Sequence, residues 1–256
     1  MMKAIVTGAS SGLGADMARV LIDEGYEVVL VARRKTKLEK LQKELGDKAS
    51  FIVMDISSTY NCMELYNSLK KEDVGILINC AGFGLYGDFV DSNIDKELDM
   101  IDLNVKSVQT LTKLFLKDFV KKDRGYILNV ASMAGFMPGP GMATYYASKA
   151  YVLSFTEAIY KELKKSDSNV SVSCLCPVPV DTNFNKVAKV EFGVKGLNSM
   201  DVARYAINKM FNEKLIIIPS FWMKIIHILV KVLPVKLVMR FVYNFQKSKS
   251  WVIYFF

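Results

Sequence analysis

Lys3-Ala4-Ile5-Val6-Thr7-Gly8-Ala9-Ser10-Ser11-Gly12-Leu13-Gly14 is the stretch on which the fold turns. Its first half is an apolar run without polar alternation, as in a strand covered on both faces. Its second half is a glycine-rich turn, and Gly14–Glu24 beyond it carries apolar residues at helical spacing. Glycines let a backbone turn tightly and approach a pyrophosphate, and a helix N-terminus adds free N–H groups and a positive dipole end. Gly8, Ser10, Ser11, Gly12, Leu13 and Gly14 are therefore candidate phosphate contacts. The spacing, GxxxGxG, is one residue wider than GxGxxG, and a plain turn is the competing reading of the glycines alone. Their placement between a strand and a helix favours the phosphate site.

The same alternation continues outward. Strands are expected at Lys3–Thr7, Glu27–Ala32, Ser50–Met54, Ile76–Asn79, Gly125–Val130, Val170–Leu175 and Ile216–Ile218. Helices are expected at Gly14–Glu24, Lys37–Leu45, Tyr60–Lys70, Ile94–Lys117, Thr144–Lys165 and Met200–Asn212. Strands alternating with helices predict an α/β fold, a Rossmann-like, doubly wound parallel sheet in a single domain. The domain spans residues 1–220 and includes a substrate lid at 183–198; residues 221–256 form a basic, amphipathic helical extension divided at Pro234. The first strand opens so early that no signal or transit peptide is expected ahead of it.

Composition narrows the chemistry. With 51% hydrophobic and 23% charged residues the chain can bury a sizeable core and is not disordered. Its single histidine, His227, lies in an apolar stretch far in sequence from every polar motif, which excludes a multi-histidine metal site and leaves nucleophilic triads poorly supplied. Proton transfer then falls to Tyr, Lys, Asp or Glu. Cys62, Cys80, Cys174 and Cys176 are dispersed and read as reduced core thiols of a reducing, cytoplasmic compartment. Residues 214–256 hold seven lysines and arginines and no acid, so nearly all of the net charge of +8 belongs to the tail. A nucleic-acid binder would be basic across a face of the domain, so no nucleic-acid partner is expected.

Ligands of open parallel sheets bind beyond the carboxyl ends of the strands. At the second exit, Val31-Ala32-Arg33-Arg34-Lys35 places Ala32 where an acid would meet the ribose hydroxyls of NAD(H). Guanidinium groups there suit a 2′-phosphate and so NADP(H), with Arg33 the stronger candidate of Arg33 and Arg34; a solvated basic helix start is the alternative. The third exit offers Asp55 to an adenine ring or to a helix cap. The fourth, Asn79-Cys80-Ala81-Gly82, is small enough to pass beneath a cofactor. The fifth gives Ser132, followed 13 residues later by Tyr145 and, four further on, by Lys149. On a helix Tyr145 and Lys149 share a face. An ammonium near a phenol lowers its pKa from about 10 toward working pH, where acid–base transfer is efficient.

The glycine turn, Asn79-Cys80-Ala81-Gly82, Asn104, Ser132, Tyr145 and Lys149 together resemble the short-chain dehydrogenase/reductase family in order and spacing, over roughly Lys3 to Thr182. Ala32-Arg33-Arg34 resembles its NADPH-preferring members. The resemblance implies that Tyr145 exchanges a proton with a carbonyl or alcohol oxygen and that Ser132 holds that oxygen. It implies that Lys149 binds the nicotinamide ribose and depresses the tyrosine pKa, and that Asn104 holds a water linking Lys149 to solvent. Asn79, Ala81, Gly82, Pro177, Val180 and Thr182 join the cofactor contacts. One departure stands out: where the family has Pro-Gly, this chain has Pro177-Val178, and valine does not readily adopt the positive φ open to glycine.

Apolar residues recur in the lid (Phe184, Val187, Val190, Phe192, Val194) and near the catalytic set (Met133, Phe136, Met137, Met142). They favour a lipid-like, steroid-like or acyl ketone, unless the lid packs on its own core. The tail, with its basic stripe and aromatic residues, either lies in a membrane interface or docks beside the active site. Three functions remain open: an NADPH-dependent interconversion of ketone and secondary alcohol; a 3-oxoacyl-thioester reductase; and a catalytically silent NADPH-binding or membrane-associated regulatory protein. Assembly as a homodimer or homotetramer is implied through the long helices.

Overall fold

The apolar runs pair as one sheet. The computed structural model describes residues 2–180 and 196–247. Strands β1 (Lys3–Thr7), β2 (Glu27–Ala32), β3 (Ala49–Val53), β4 (Val74–Asn79), β5 (Gly125–Val130), β6 (Val170–Leu175) and β7 (Ile216–Ile217) lie in the order β3-β2-β1-β4-β5-β6-β7. Every pairing is parallel. The chain winds outward in both directions from β1 and β4, so the strand order reverses between these two neighbours. That reversal opens a crevice at their carboxyl ends.

Alternate side chains of each strand enter opposite layers. Ala4 and Val6 of β1 join Met17, Ala18 and Leu21 of α1 (Gly12–Asp23), Leu38 of α2 (Lys35–Leu45) and Val202 and Ala206 of α7 (Ser199–Phe211). Ile5 faces the other way, toward Leu65 of α3 (Thr59–Leu69), Phe115 of α5 (Ser107–Lys122) and Ile159 of α6 (Ala143–Lys165). Phe115 is fully buried, and truncating such a ring costs roughly 3–5 kcal/mol. The doubly wound, Rossmann-like architecture is thus the one expected.

Two boundaries differ in ways that matter. The first helix begins at Gly12, so Gly12 joins Gly14 in its first turn instead of preceding it. The expected single helix Ile94–Lys117 is instead α4 (Ile94–Ile101), a wide helical turn at Asp102–Lys106, and α5, which runs on to Lys122. Helix α5 stops where Asp123 adopts a left-handed φ of 47°. Lys121 and Lys122 complement the negative end of its dipole.

Pro234 divides the tail as read, into α8 (Phe221–Val232) and α9 (Val235–Lys247). Among the described residues no helix is long and apolar enough to cross a membrane.

Candidate active site

The exits of β1 and β4 are fitted to each other. Gly8 has φ 71°, and a Cβ there would lie 2.8 Å from the Ala81 Cα, so any side chain would force the two segments apart. Thr7, unremarked in the sequence, accepts from the main-chain N–H groups of Cys80 (3.0 Å) and Ala81 (3.1 Å). A Cβ on Gly14 would meet the Gly8 carbonyl at 2.7 Å, which seats α1 directly on the turn. Ser11 caps α1 without a side-chain hydrogen bond to the helix, so its hydroxyl leaves the first N–H groups to another acceptor.

The two arginines divide. Arg34 leans over the glycine turn and donates from Nε and Nη2 to Ser10 Oγ (3.1 and 2.7 Å) and from Nη2 to Ser11 Oγ (2.6 Å). Arg33 reaches Asp55, at 3.5 Å, on the exposed rim. Arg34 is thus the cation held beside the turn, and Arg33 the one on the rim. Asp55 accepts from the Ser57 amide (3.1 Å) and hydroxyl (2.9 Å). Partial burial opposes its ionisation, yet the Ser57 bonds and Arg33 hold its carboxyl below the usual range. Asn79 is buried at the end of β4. Its Nδ2 donates to Asn129 Oδ1 (2.8 Å) and Thr112 Oγ1 (3.0 Å), and Asn129 donates in turn to Thr156 (3.0 Å). Through Nδ2 the Asn79 side chain ties β4 to β5 and α5.

Ser132, Tyr145 and Lys149 converge at the exit of β5. Ser132 Oγ accepts from the Ala134 amide (3.1 Å) and is hydrogen-bonded to the Tyr145 side chain. Tyr145 and Lys149 lie one turn apart on the buried face of α6, with Nζ 5.9 Å from the phenol ring centre. Nζ donates to the Val130 carbonyl at 2.8 Å. Burial pushes the Tyr145 phenol up to about 12, although the Ser132 bond pulls it down. Burial also pulls the Lys149 ammonium down to about 8, while the neighbouring thiols of Cys80, Cys174 and Cys176 favour its charge. The expected lowering of the phenol by the ammonium is thus overridden here, because removal from water favours the neutral form of each group.

Asn104 occupies the wide turn, a device that redirects a side chain without ending the helix. Its Oδ1 accepts from the Phe83 amide (3.1 Å), and its Nδ2 donates to the Phe83 carbonyl (2.9 Å) and to Ser148 Oγ (3.1 Å). Both amide hydrogens are committed to the protein, so its side chain could receive a water only at Oδ1. A Cβ on Gly82 would lie 2.9 Å from Asn104 Oδ1 and 3.4 Å from Lys149 Nζ, so glycine keeps open the space beside the amine.

Beyond β6, the Pro177 carbonyl accepts from the Met133 amide (3.0 Å), tying this loop to the Ser132 segment. Val180 bridges to Leu197. Val178 is not among the positive-φ residues and packs beside Met133 and Cys176, so the loop accepts valine without backbone strain. Thr182 and residues 183–195 of the lid lie outside the described residues; of the remaining three, Asn198 caps α7 through Met200 and Asp201.

Three further residues belong to the site. Buried Glu97 accepts from Ser92 and from Thr144, fixing the start of α6 next to Tyr145. His227, remote in sequence, packs on Phe136 with ring centres 3.9 Å apart and the rings tilted by 51°. Gln246 donates to the Tyr146 hydroxyl at 2.8 Å. No local pattern could have revealed them, because each pairs residues 47 to 100 positions apart. Around Tyr145, Met100, Ala134 and Met142 are buried together with Phe83, Leu85 and Tyr146, an apolar wall for the cleft.

The profile of the short chain dehydrogenase family matches residues 2–191. An uncharacterised oxidoreductase of Staphylococcus saprophyticus is 33% identical over 211 residues, 80% of this chain and 88% of that protein. The very-long-chain 3-oxoacyl-CoA reductase of Anas platyrhynchos is 33% identical over 198 residues, 74% of this chain and 63% of that protein. The short-chain dehydrogenase from Sphingobium yanoikuyae, solved in complex with NADPH, superposes with a TM-score of 0.83 at 25% identity, covering 99% of this chain and 100% of that one. A profile match over most of the chain, with the serine, tyrosine and lysine gathered at one sheet exit, identifies the chain as a member of the short-chain dehydrogenase family of oxidoreductases.

Proposed function

We propose that the protein is an NADPH-dependent oxidoreductase interconverting an apolar ketone and its secondary alcohol. The observation that carries this reading is the convergence of Ser132, Tyr145 and Lys149 at the exit of β5, in the same sheet whose β1 ends in the glycine turn. The residues present fit a dinucleotide phosphate. The glycine turn leaves no room for side chains, the start of α1 is open, and Arg34 stands over Ser10 and Ser11. Gly8, Ser10, Ser11, Gly12, Leu13 and Gly14 would hold the pyrophosphate, Arg34 with Arg33 the 2′-phosphate, and Asp55 the adenine edge. Ala81 and Gly82 would pass beneath the cofactor, and Pro177, Val180 and Thr182 would flank its nicotinamide.

The nicotinamide, when bound, supplies the hydride. The protein supplies the rest. Ser132 Oγ and the Tyr145 hydroxyl both address the carbonyl oxygen, and Tyr145 transfers its proton there as negative charge develops. Lys149 Nζ, buried and able to leave the Val130 carbonyl for ribose hydroxyls, holds the ring in place and, when charged, favours the phenolate that remains. Asn104 holds the segment at Phe83 and Ser148 that borders this amine.

Tyr145→Phe should lower turnover of a carbonyl panel, followed by NADPH absorbance, by roughly 10²–10⁴-fold with NADPH affinity retained. Unchanged turnover overturns the assignment. Arg34→Ala should weaken NADPH at least about tenfold more than NADH, because a guanidinium facing a phosphate dianion is lost; equal weakening rejects the 2′-phosphate role. A second reading, reduction of 3-oxoacyl thioesters, draws on the relatives of that activity at 33% identity. A kcat/KM higher on acyl thioesters than on free ketones decides for it. The unpaired thiols fit a cytoplasmic setting, and exposed Val120 on α5 and Tyr151 on α6 suit a homodimer or homotetramer built on these helices.

A further inference from the structure

We infer that α8 and α9 form a docking face for an anionic lipid surface, placed around the mouth of the catalytic cleft. No residue of α8 is fully buried, and Phe221, Trp222, Ile228, Val232, Val235 and Phe241 are more than half exposed. Isolated apolar residues on a surface need no explanation, but a continuous set on two successive helices marks a binding face. Lys224, Lys231, Lys236 and Arg240 are interleaved with these residues, and no carboxylate side chain occurs anywhere from 214 to 256.

The inner side of the tail is anchored at the cleft. His227 rests on Phe136, just after Ser132, and Gln246 holds Tyr146, just after Tyr145. The segment at Tyr86 meets the end of the tail. Gly87 donates to the Gly141 carbonyl, and a Cβ on Gly141 would stand 3.3 Å from both the Tyr86 ring and Gln246. Tyr86 thus borders the end of α9, while exposed Phe89 and Val90 further on are flanked by exposed Asp88 and Asp91, so the basic face is that of the two helices.

Charge selects the occupant. A second copy docking tail to tail would set the lysines of α8 and α9 against one another with no acid on either helix to answer them, which opposes a two-fold contact. Anionic headgroups supply the missing countercharge, and the boundary beneath them accepts the tryptophan and phenylalanine rings. The tail lies on such a surface instead of crossing it, neither helix being long and apolar enough to span. Resting on the proposed function, the same geometry hands an apolar ketone from lipid to Tyr145.

The full chain should sediment with vesicles of mixed phosphatidylcholine and phosphatidylserine at low salt, and remain in solution with phosphatidylcholine alone. Lys231→Glu with Lys236→Glu should weaken binding at least about fivefold for each site changed. Trp222→Glu with Phe241→Glu should abolish it. Both double variants should keep turnover of a small water-soluble ketone, which also reports that they are folded. Failure of the parent chain to bind the acidic vesicles overturns the inference, as does binding indifferent to both variants. A concentration-dependent dimer that Trp222→Glu dissolves, without vesicle binding, assigns the face to a second copy and overturns it too. Sedimentation requires no turnover: vesicle binding by an inactive protein rejects the proposed reaction alone, and turnover without vesicle binding rejects the lipid face alone.

Discussion

The Lys149 amine is buried, bonded to the Val130 carbonyl and surrounded by thiols in place of carboxylates. Its ammonium therefore sits where charge is costly, and its pKa falls from 10.5 to about 8. An unfolded chain would bind that proton more tightly than the folded one from pH 8 to 10.5, so over this window the group makes stability rise with pH. Tyr145 acts in the opposite sense, but only above pH 10, because its value is raised from 10 to about 12. Urea unfolding at pH 8 and pH 10 should show the parent chain gaining roughly 2 kcal/mol relative to Lys149→Met. Parallel profiles for the two proteins would mean that the amine is hydrated in solution. The i,i+4 relation of Tyr145 and Lys149 was visible in the sequence because it is local. The sign of the balance was not, because burial is decided by β5, β6 and the Gly82 turn, all distant along the chain.

At the scale of elements, the strand exits were legible because each joins a run of apolar residues to a turn with its own residue chemistry. What escaped was geometry that leaves periodicity untouched. Apolar residues continue through 94–117 at helical spacing, and nothing in them marks the wide turn that places Asn104. Likewise the sequence does not show where Arg33 and Arg34 come to rest; α2 starts at Lys35, with Arg34 over the glycine turn and Arg33 at Asp55. Gly82 tests this level of organisation. Asn104 is held by three hydrogen bonds and cannot yield to a methyl group placed 2.9 Å from its oxygen. Gly82→Ala should therefore cost roughly 1–3 kcal/mol of stability and lower kcat/KM at least about tenfold, since the displaced groups border the Lys149 amine. Thermal unfolding and steady-state kinetics measure the two effects, and a neutral result in both would show that the Phe83 segment can move aside.

For the molecule as a whole, the core and the tail are separable in energy while joined at the cleft. The sheet and its two helical layers hold the large fully buried side chains, whereas in α8 and α9 only Val238 is fully buried among residues whose burial is described. Removal of residues 221–256 should thus leave a folded domain that has lost the Met223 and His227 contacts, Val238 and the Gln246 bond. Those losses amount to roughly 2–4 kcal/mol, or a fall in Tm of about 5–15 °C for a domain of this size. The truncated chain also sheds six of the eight net positive charges, so its solubility near neutral pH should fall and its elution from a cation exchanger should come at lower salt. Because the tail touches Phe136 and Tyr146, its loss should raise KM for a bulky apolar ketone several-fold while kcat on a small soluble ketone stays within about twofold. A truncated chain that cannot fold would place part of the core in the tail, contrary to its exposure. One that folds with KM unchanged for both ketones would show that Phe136 and Tyr146 keep their places without the helices that rest on them.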